Sequence, residues 1–289
     1  MDLALEQETT PFVGPRPIQT GELLFGRDRE VRSLVALLIS KRIVLLHSPS
    51  GAGKSSLVNA GLVPTLAHRP YEVLPVVRVN REPSSRIASM IEPQTNRYVL
   101  STLLALEAGR EPRQRIEMSS LVRLSLSEYL DHREAEIEER MATLLIFDQF
   151  EEILTLDPID RGARQDFFEQ AGEALDSRRR YALFAMREDY VGGLDPYLRP
   201  VPTQLSVRMR LDLLDEGAAR QAIRRPRPDD IDDNLASLTE NFTAAAAEEL
   251  AKDLAQMRVQ QSDGTRLLRR GAYVEPVQLQ VVCERLWTR

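Results

Sequence analysis

Three short segments of this chain lack a polar face: "RIVLLH" (Arg42–His47), "TLLIFD" (Thr143–Asp148) and "RYALFAM" (Arg180–Met186). A strand that is apolar on both sides must be covered on both sides, which is the situation inside a parallel sheet. Amphipathic stretches separate these segments. Val31, Leu34, Val35, Leu37 and Leu38 recur at helical spacing behind a capping Asp28, and "QDFFEQAGEAL" (Gln165–Leu175) reads as another helix. Strand and helix in alternation predict an α/β fold, a parallel sheet flanked by helices.

The same reading extends along the chain. "YEVLPVVRVN" (Tyr71–Asn80) is expected to be a strand despite Pro75, and "QLSVRMRL" (Gln204–Leu211) one more, leading into the helix "DEGAARQAI" (Asp215–Ile223). A helix is expected from about Lys54, stopping near Pro64, and residues 81–140 are mostly helical, with "EAEIEER" (Glu134–Arg140) a solvated face. The first ten residues are polar and expected to fray, and "PFVGPRPIQTGELLFGRD" (Pro11–Asp28) suits an ordered, irregular arm. The Pro- and Asp-rich run "RRPRPDDIDDN" (Arg224–Asn234) reads as a linker. Beyond it only helices are expected, in "FTAAAAEELAKDLAQM" and "EPVQLQVVCERLW". The division drawn is an arm, 1–24, an α/β domain, 25–225, and a small all-helical domain, 226–289, the start of a longer region.

Composition narrows the partners. A net charge of -6 gives no electrostatic reason to expect nucleic acid or an anionic membrane surface. No apolar stretch approaches bilayer length, and the N-terminus lacks the basic and apolar regions of a signal peptide. The single cysteine, Cys283, lies in an apolar-periodic run and reads as buried filler. A soluble cytoplasmic protein is the expectation.

The chemistry starts at "HSPSGAGKSS", which follows the first apolar strand. Gly51 and Gly53 allow main-chain N–H groups to approach phosphate oxygens with no Cβ in the way. The helix opening at Lys54 offers unpaired N–H groups and the positive end of its dipole. Lys54 would reach the outer phosphates, and the Ser55 hydroxyl would join a magnesium ion. The full pattern has glycine where Ser48 stands, a small-for-small exchange. The competing reading is a Gly-Ser turn between strand and helix.

"TLLIFDQFEEIL" adds carboxylates. Asp148, at the C-terminal edge of its strand, can hold magnesium through water. Glu151 or Glu152 can orient and deprotonate an attacking water, unless both are surface charges opening a helix. Arg187 ends a third apolar strand, where a guanidinium can read a terminal phosphate, or else pair with Glu188, Asp189 or Asp148. His47, His68 and His132 are scattered, without metal-ligand spacing.

Together these residues resemble the signal-transduction NTPases called STAND, within the AAA+ and P-loop class, and the bacterial novel STAND group in particular. In that family a "hhGRxxE" segment packs against adenine, and "LLFGRDRE" supplies it through Phe25, Gly26, Arg27 and Glu30. "PFVGPRP" resembles the group's opening. The Walker A motif corresponds to Ser48 through Ser56, including Ala52 and Ser56, and Walker B to Asp148, Glu151 and Glu152. The resemblance implies that Glu152 activates water, with Glu151 the runner-up, and that Arg187 is the sensor arginine. Pro276 falls on a proline that approaches adenine, although the usual glycine two residues earlier is Val274. It implies ATP or ADP with Mg2+ as ligands, and homo-oligomerisation on activation. It also implies sensor and effector parts not visible in this chain, and work in defence or programmed death.

The expected activity is therefore a slow ATP-dependent switch, with nucleotide between the sheet domain and the C-terminal helices. Three alternatives keep part of this picture. One is a conventional AAA+ motor on protein or DNA, with Arg208 or Arg210 as the arginine finger. The others are a scaffold that holds nucleotide permanently and a small-molecule kinase, for which no acceptor lid is visible.

Overall fold

The computed structural model describes residues 12–80, 95–136, 141–224, 242–260 and 266–287. The expected frayed start, the linker after Arg224 and most of the acidic run "EAEIEER" lie outside these. The chain divides into two compact units: Val31–Pro49 with Leu62–Leu211, and Met1–Glu30 with Ser50–Gly61 and Asp212–Arg289. Among the described residues no helix is long and apolar enough to cross a membrane.

Helix α1 (Asp28–Lys41) buries Leu34, Val35 and Leu38 of the periodic positions, while Val31 and Leu37 are half-buried. It ends at Arg42, whose φ of 66° takes the left-handed conformation common after a helix. Strand β1 (Ile43–Ser48) follows directly, buried almost throughout.

Helical structure then runs through α2 (Lys54–Ser56), a π-helical turn (Leu57–Leu62) and α3 (Val63–Ala67). The expected stop near Pro64 is not observed. Pro64 stands at the second residue of α3, directly after the π-helical turn, and the helix runs on to Ala67.

The first unit is built on a five-stranded parallel sheet in the order β2-β3-β4-β1-β5. Its other strands are β2 (Tyr71–Val73), β3 (Ala142–Phe147), β4 (Arg180–Arg187) and β5 (Arg208–Arg210). The two edge strands are shorter than the sequence suggested. Pro75 interrupts the ladder after Val73, and pairing resumes only at Val77, whose N–H meets Ile146 O at 2.8 Å. Thr203, Gln204 and Leu205 have left-handed φ values, so β5 begins only at Arg208.

Helices α4 (Arg97–Ala108), α5 (Met118–Leu121), α6 (Leu126–Ala135), α7 (Glu152–Thr155) and α8 (Arg161–Asp176) complete this unit. Their starts are chemically marked. Asn96 caps α4, Ser125 and Glu128 form a capping box on α6, and Asp160 caps α8. The core carries an aromatic cluster in which Phe147 stacks on Phe184 at 5.0 Å and Phe150 meets Phe184 at 4.9 Å.

The second unit gathers the arm, the segment Ser50–Gly61 and the C-terminal region. The latter contains β6 (Leu214–Asp215), α9 (Glu216–Arg224), α10 (Ala244–Leu254), β7 (Gln256–Gln260), β8 (Arg266–Arg270), β9 (Tyr273–Val274) and α11 (Pro276–Trp287). It is helical, as expected, and adds two antiparallel strand pairs, β6 with β9 and β7 with β8, that the reading as helices alone missed. Strands of two to five residues carry too little periodicity to be seen in sequence. Phe12 of the arm, Leu214, Ala219, Ile223, Val274, Leu279 and Cys283 form the core here. Cys283 is buried filler. Val274 pairs with Leu214 in the ladder and is fully buried, so at that position this chain uses a side chain for packing.

Candidate functional site

The residues singled out in the sequence form two sets, one in each compact unit. In the unit holding the loop, Gly51 and Gly53 have φ values of 77° and 90°. A side chain at Gly51 would meet open space, and one at Gly53 would lie 3.8 Å from Pro276 Cβ and Cγ, an ordinary contact. Backbone conformation, not crowding, thus requires both glycines. Gly53 caps α2, which Lys54, Ser55 and Ser56 open.

Ala52, between the glycines, is buried, and its carbonyl accepts from Arg27 Nη2 at 2.9 Å. The same nitrogen donates to Asp212 O at 2.7 Å, and Nη1 donates to Glu30 Oε1 at 3.0 Å. Arg27 is 5% exposed, and that burial lowers its pKa while Glu30 opposes the shift. Gly26 precedes it with a φ of 72°, and a Cβ there would lie 2.5 Å from Ala218 O. Phe25 packs against the C-terminal core.

The arm fastens to the same helix: Ser56 Oγ accepts from Ile18 N at 3.1 Å, and Thr20 Oγ1 donates to Asn59 O at 2.9 Å. This unit thus brings Phe25, Gly26, Arg27, the loop and Pro276 together. The Ser56–Ile18 and Arg27–Ala52 bonds were not legible from residue types, because main-chain partners carry no side-chain signature.

In the sheet unit, Ser48 ends β1 and pairs with Arg187 of β4 across the parallel ladder. Ser48 is buried in a strand, and its hydroxyl donates to Pro49 O at 2.7 Å. The position has no left-handed φ, so glycine is not needed there.

At the end of β3, Asp148 is buried and its Oδ1 accepts from Gln149 N at 2.9 Å. Gln149 turns the chain with a φ of 53°. Phe150 then plunges into the aromatic core, its N–H bound to Ala185 O at 2.9 Å. That anchor fixes the two glutamates differently. Glu151 Oε2 accepts from Arg187 N at 3.1 Å, tying it to β4. Glu152 Oε2 is buried and has no hydrogen-bond partner among the described residues.

With the Gln149 amide oriented to satisfy both neighbours, its nitrogen donates to Glu152 Oε1 and its oxygen accepts from Arg78, each at 3.1 Å. Glu152's pKa is raised, first by burial and then by Glu151 and Asp148, while Arg78 and Asn80 oppose the rise. Gln149, Arg78 and Asn80 were not singled out in the sequence. The left-handed turn that brings Gln149 back onto Glu152 is a conformation no residue type at that position announces.

Arg187 Nη2 pairs with Asp189 at 2.6 Å and its guanidinium lies 5.5 Å from the Tyr190 ring centroid. This is the local ion pair weighed against a sensor role. Arg210 pairs with Glu188 at 2.8 Å, and Arg208 donates to Leu205 O at 3.2 Å.

A parallel sheet in this order, with a left-handed glycine loop after β1 and an acid ending β3, defines a P-loop NTPase. The chain belongs to the Novel STAND NTPase 1 family, whose model matches residues 11–266. Among solved structures it is similar to a Walker-type ATPase of Pyrococcus abyssi. The TM-score is 0.59 at 18% identity, covering 95% of this chain and 71% of that one. It is also similar to the Aeropyrum pernix ORC1 protein, solved in complex with DNA (TM-score 0.44, 16% identity, 91% of this chain and 65% of that one). The ORC2 protein of the same organism, solved as ADPNP and ADP complexes, gives a TM-score of 0.47 at 14% identity, over 82% of this chain and 64% of that one. The likeness to the Pyrococcus abyssi ATPase bears out the fold. No curated protein matches the sequence.

Proposed function

We propose that this chain is an ATP-binding, slowly hydrolysing switch. The observation that carries the reading is the loop: two left-handed glycines flank a buried alanine and open onto Lys54 and Ser55. Such a backbone fits a polyphosphate, which needs main-chain N–H groups and no intervening side chain.

In this reading Lys54 contributes its charge to the outer phosphates. Ser55 and Asp148 would hold magnesium, which when bound neutralises phosphate charge. Among the described residues no group of three or more His, Cys, Asp or Glu could hold a metal alone. The proposed ion would rely on one carboxylate, a hydroxyl and phosphate oxygens.

Glu152 takes the proton of the attacking water, a role favoured by its buried, unpartnered Oε2 and raised pKa. Glu151 spends one oxygen on the Arg187 N–H and is better suited to fixing the end of β4. Arg187 becomes a sensor only by exchanging Asp189 for a phosphate. Phe25 and Pro276 are the proposed base contacts.

Family membership favours a switch over a motor. Nucleotide state would govern homo-oligomerisation and the activation of a signalling or defence effector in the cytoplasm. Driving a two-state switch from 1:99 to 99:1 takes about 5.5 kcal/mol of differential binding. Three charge-assisted hydrogen bonds of about 2 kcal/mol each would supply it, within the usual range of about 1.5–3 kcal/mol per bond.

The test is direct. Nucleotide released from freshly purified, denatured protein should be ADP or ATP, and adding MgATP should raise the melting temperature of the wild type but not of Lys54→Ala. An equal rise in both would remove the loop from the mechanism.

A further inference from the structure

The resemblance of "LLFGRDRE" to an adenine-packing segment puts Arg27 among base-contacting residues, but its hydrogen bonds point elsewhere. Both Nη2 protons are taken, one by Ala52 O at 2.9 Å and one by Asp212 O at 2.7 Å, and Nη1 is held by Glu30 at 3.0 Å. A buried guanidinium committed to three protein oxygens has little left for a ligand. The carbonyl it grips lies between the two left-handed glycines, at the centre of the loop.

An Ala52 oxygen facing inward would repel a polyphosphate. An oxygen that accepts from Arg27 is held away from it, and the left-handed conformations of the two flanking glycines are fixed at the same time. Asp212, the other main-chain partner, lies two residues before β6 and four before α9.

We propose that Arg27 is a positioning residue for the phosphate loop, bracing it through the Ala52 carbonyl against the main chain that enters the C-terminal region, and does not read the base. The inference rests on the loop being a nucleotide cradle. It assigns Arg27 to polyphosphate affinity, not to base recognition.

Calorimetric titration of the whole chain with MgATP and with magnesium tripolyphosphate separates the possibilities. Arg27→Ala should weaken both ligands by the same factor, on the order of tenfold to a hundredfold, the range of hydrogen bonds to charged groups. Arg27→Lys, which keeps one donor and the charge, should lose less of both. Weakened ATP with unchanged tripolyphosphate would overturn the proposal in favour of a base contact, and no change in either would overturn it outright. A wild type that binds neither ligand would instead overturn the cradle reading and this inference with it.

Hydrogen exchange of nucleotide-free protein gives an independent measure. In Arg27→Lys, amides of residues 51–54 and 213–215 should exchange faster together. Unchanged exchange there means that Arg27 braces nothing.

Discussion

The phosphate loop and the carboxylate edge of the sheet solve opposite problems. The loop must present main chain, so its working residues are glycines with positive φ, and its stability comes from side chains elsewhere, in Arg27, Thr20 and Ser56. The edge must present side chains, so its backbone is pinned by Phe150 in the aromatic core while Glu151 and Glu152 flank that anchor. The loop therefore depends on backbone conformation and tolerates a change such as Ser48. The edge, in the proposed mechanism, depends on the tip of one carboxylate.

The largest effect is expected at that tip. Glu152→Gln should keep nucleotide bound while hydrolysis falls by about 10²–10⁴-fold, the usual worth of general base catalysis. Glu151→Gln should retain most of the rate. If single-turnover phosphate release shows the reverse, the two glutamates exchange roles and the contrast drawn from their partners fails.

The loop is tested by a pair. Gly53→Ala forces an L-residue to a φ of 90° and should cost about 1–2 kcal/mol of stability, with nucleotide affinity lost as well. Ser48→Gly should leave both nearly unchanged, because the strand backbone there asks nothing of glycine. Denaturant melts with and without nucleotide measure both, and equal effects would erase the distinction between the two positions.

The smallest effect concerns pH. Glu152 is easier to protonate folded than unfolded, chiefly because it is buried. The stability from a raised pKa is fully present below the unfolded value and is lost as pH rises through the folded one. Above both, the wild type carries a cost that Glu152→Gln lacks. The variant should melt slightly higher at neutral pH, with the gap closing as pH falls through the ordinary carboxylate range. A gap that ignores pH would mean the carboxyl is not strained by burial.

Much of the fold was legible because it rests on burial. β1, β3 and β4 are apolar on both faces, and that pattern has one stable use. β2 and β5 were overextended because edge strands end where local backbone ends them, at Pro75 and at the left-handed turn before Ser206. The small strand pairs of the C-terminal region depend on partners distant in sequence. At the candidate site, residue types and spacing pointed to the glycine loop and the acidic cluster. They did not show that Glu151 is engaged by the Arg187 main chain, or that Arg187 turns to Asp189.

Sequence alone determined which residues could meet a polyanion and which strands had to be buried, since both follow from composition over a few neighbouring positions. Only the folded chain decided which glutamate keeps an unpartnered oxygen and what Arg27 holds. Those outcomes depend on main-chain atoms brought close from far along the polymer, and every residue has the same main-chain donor and acceptor to offer.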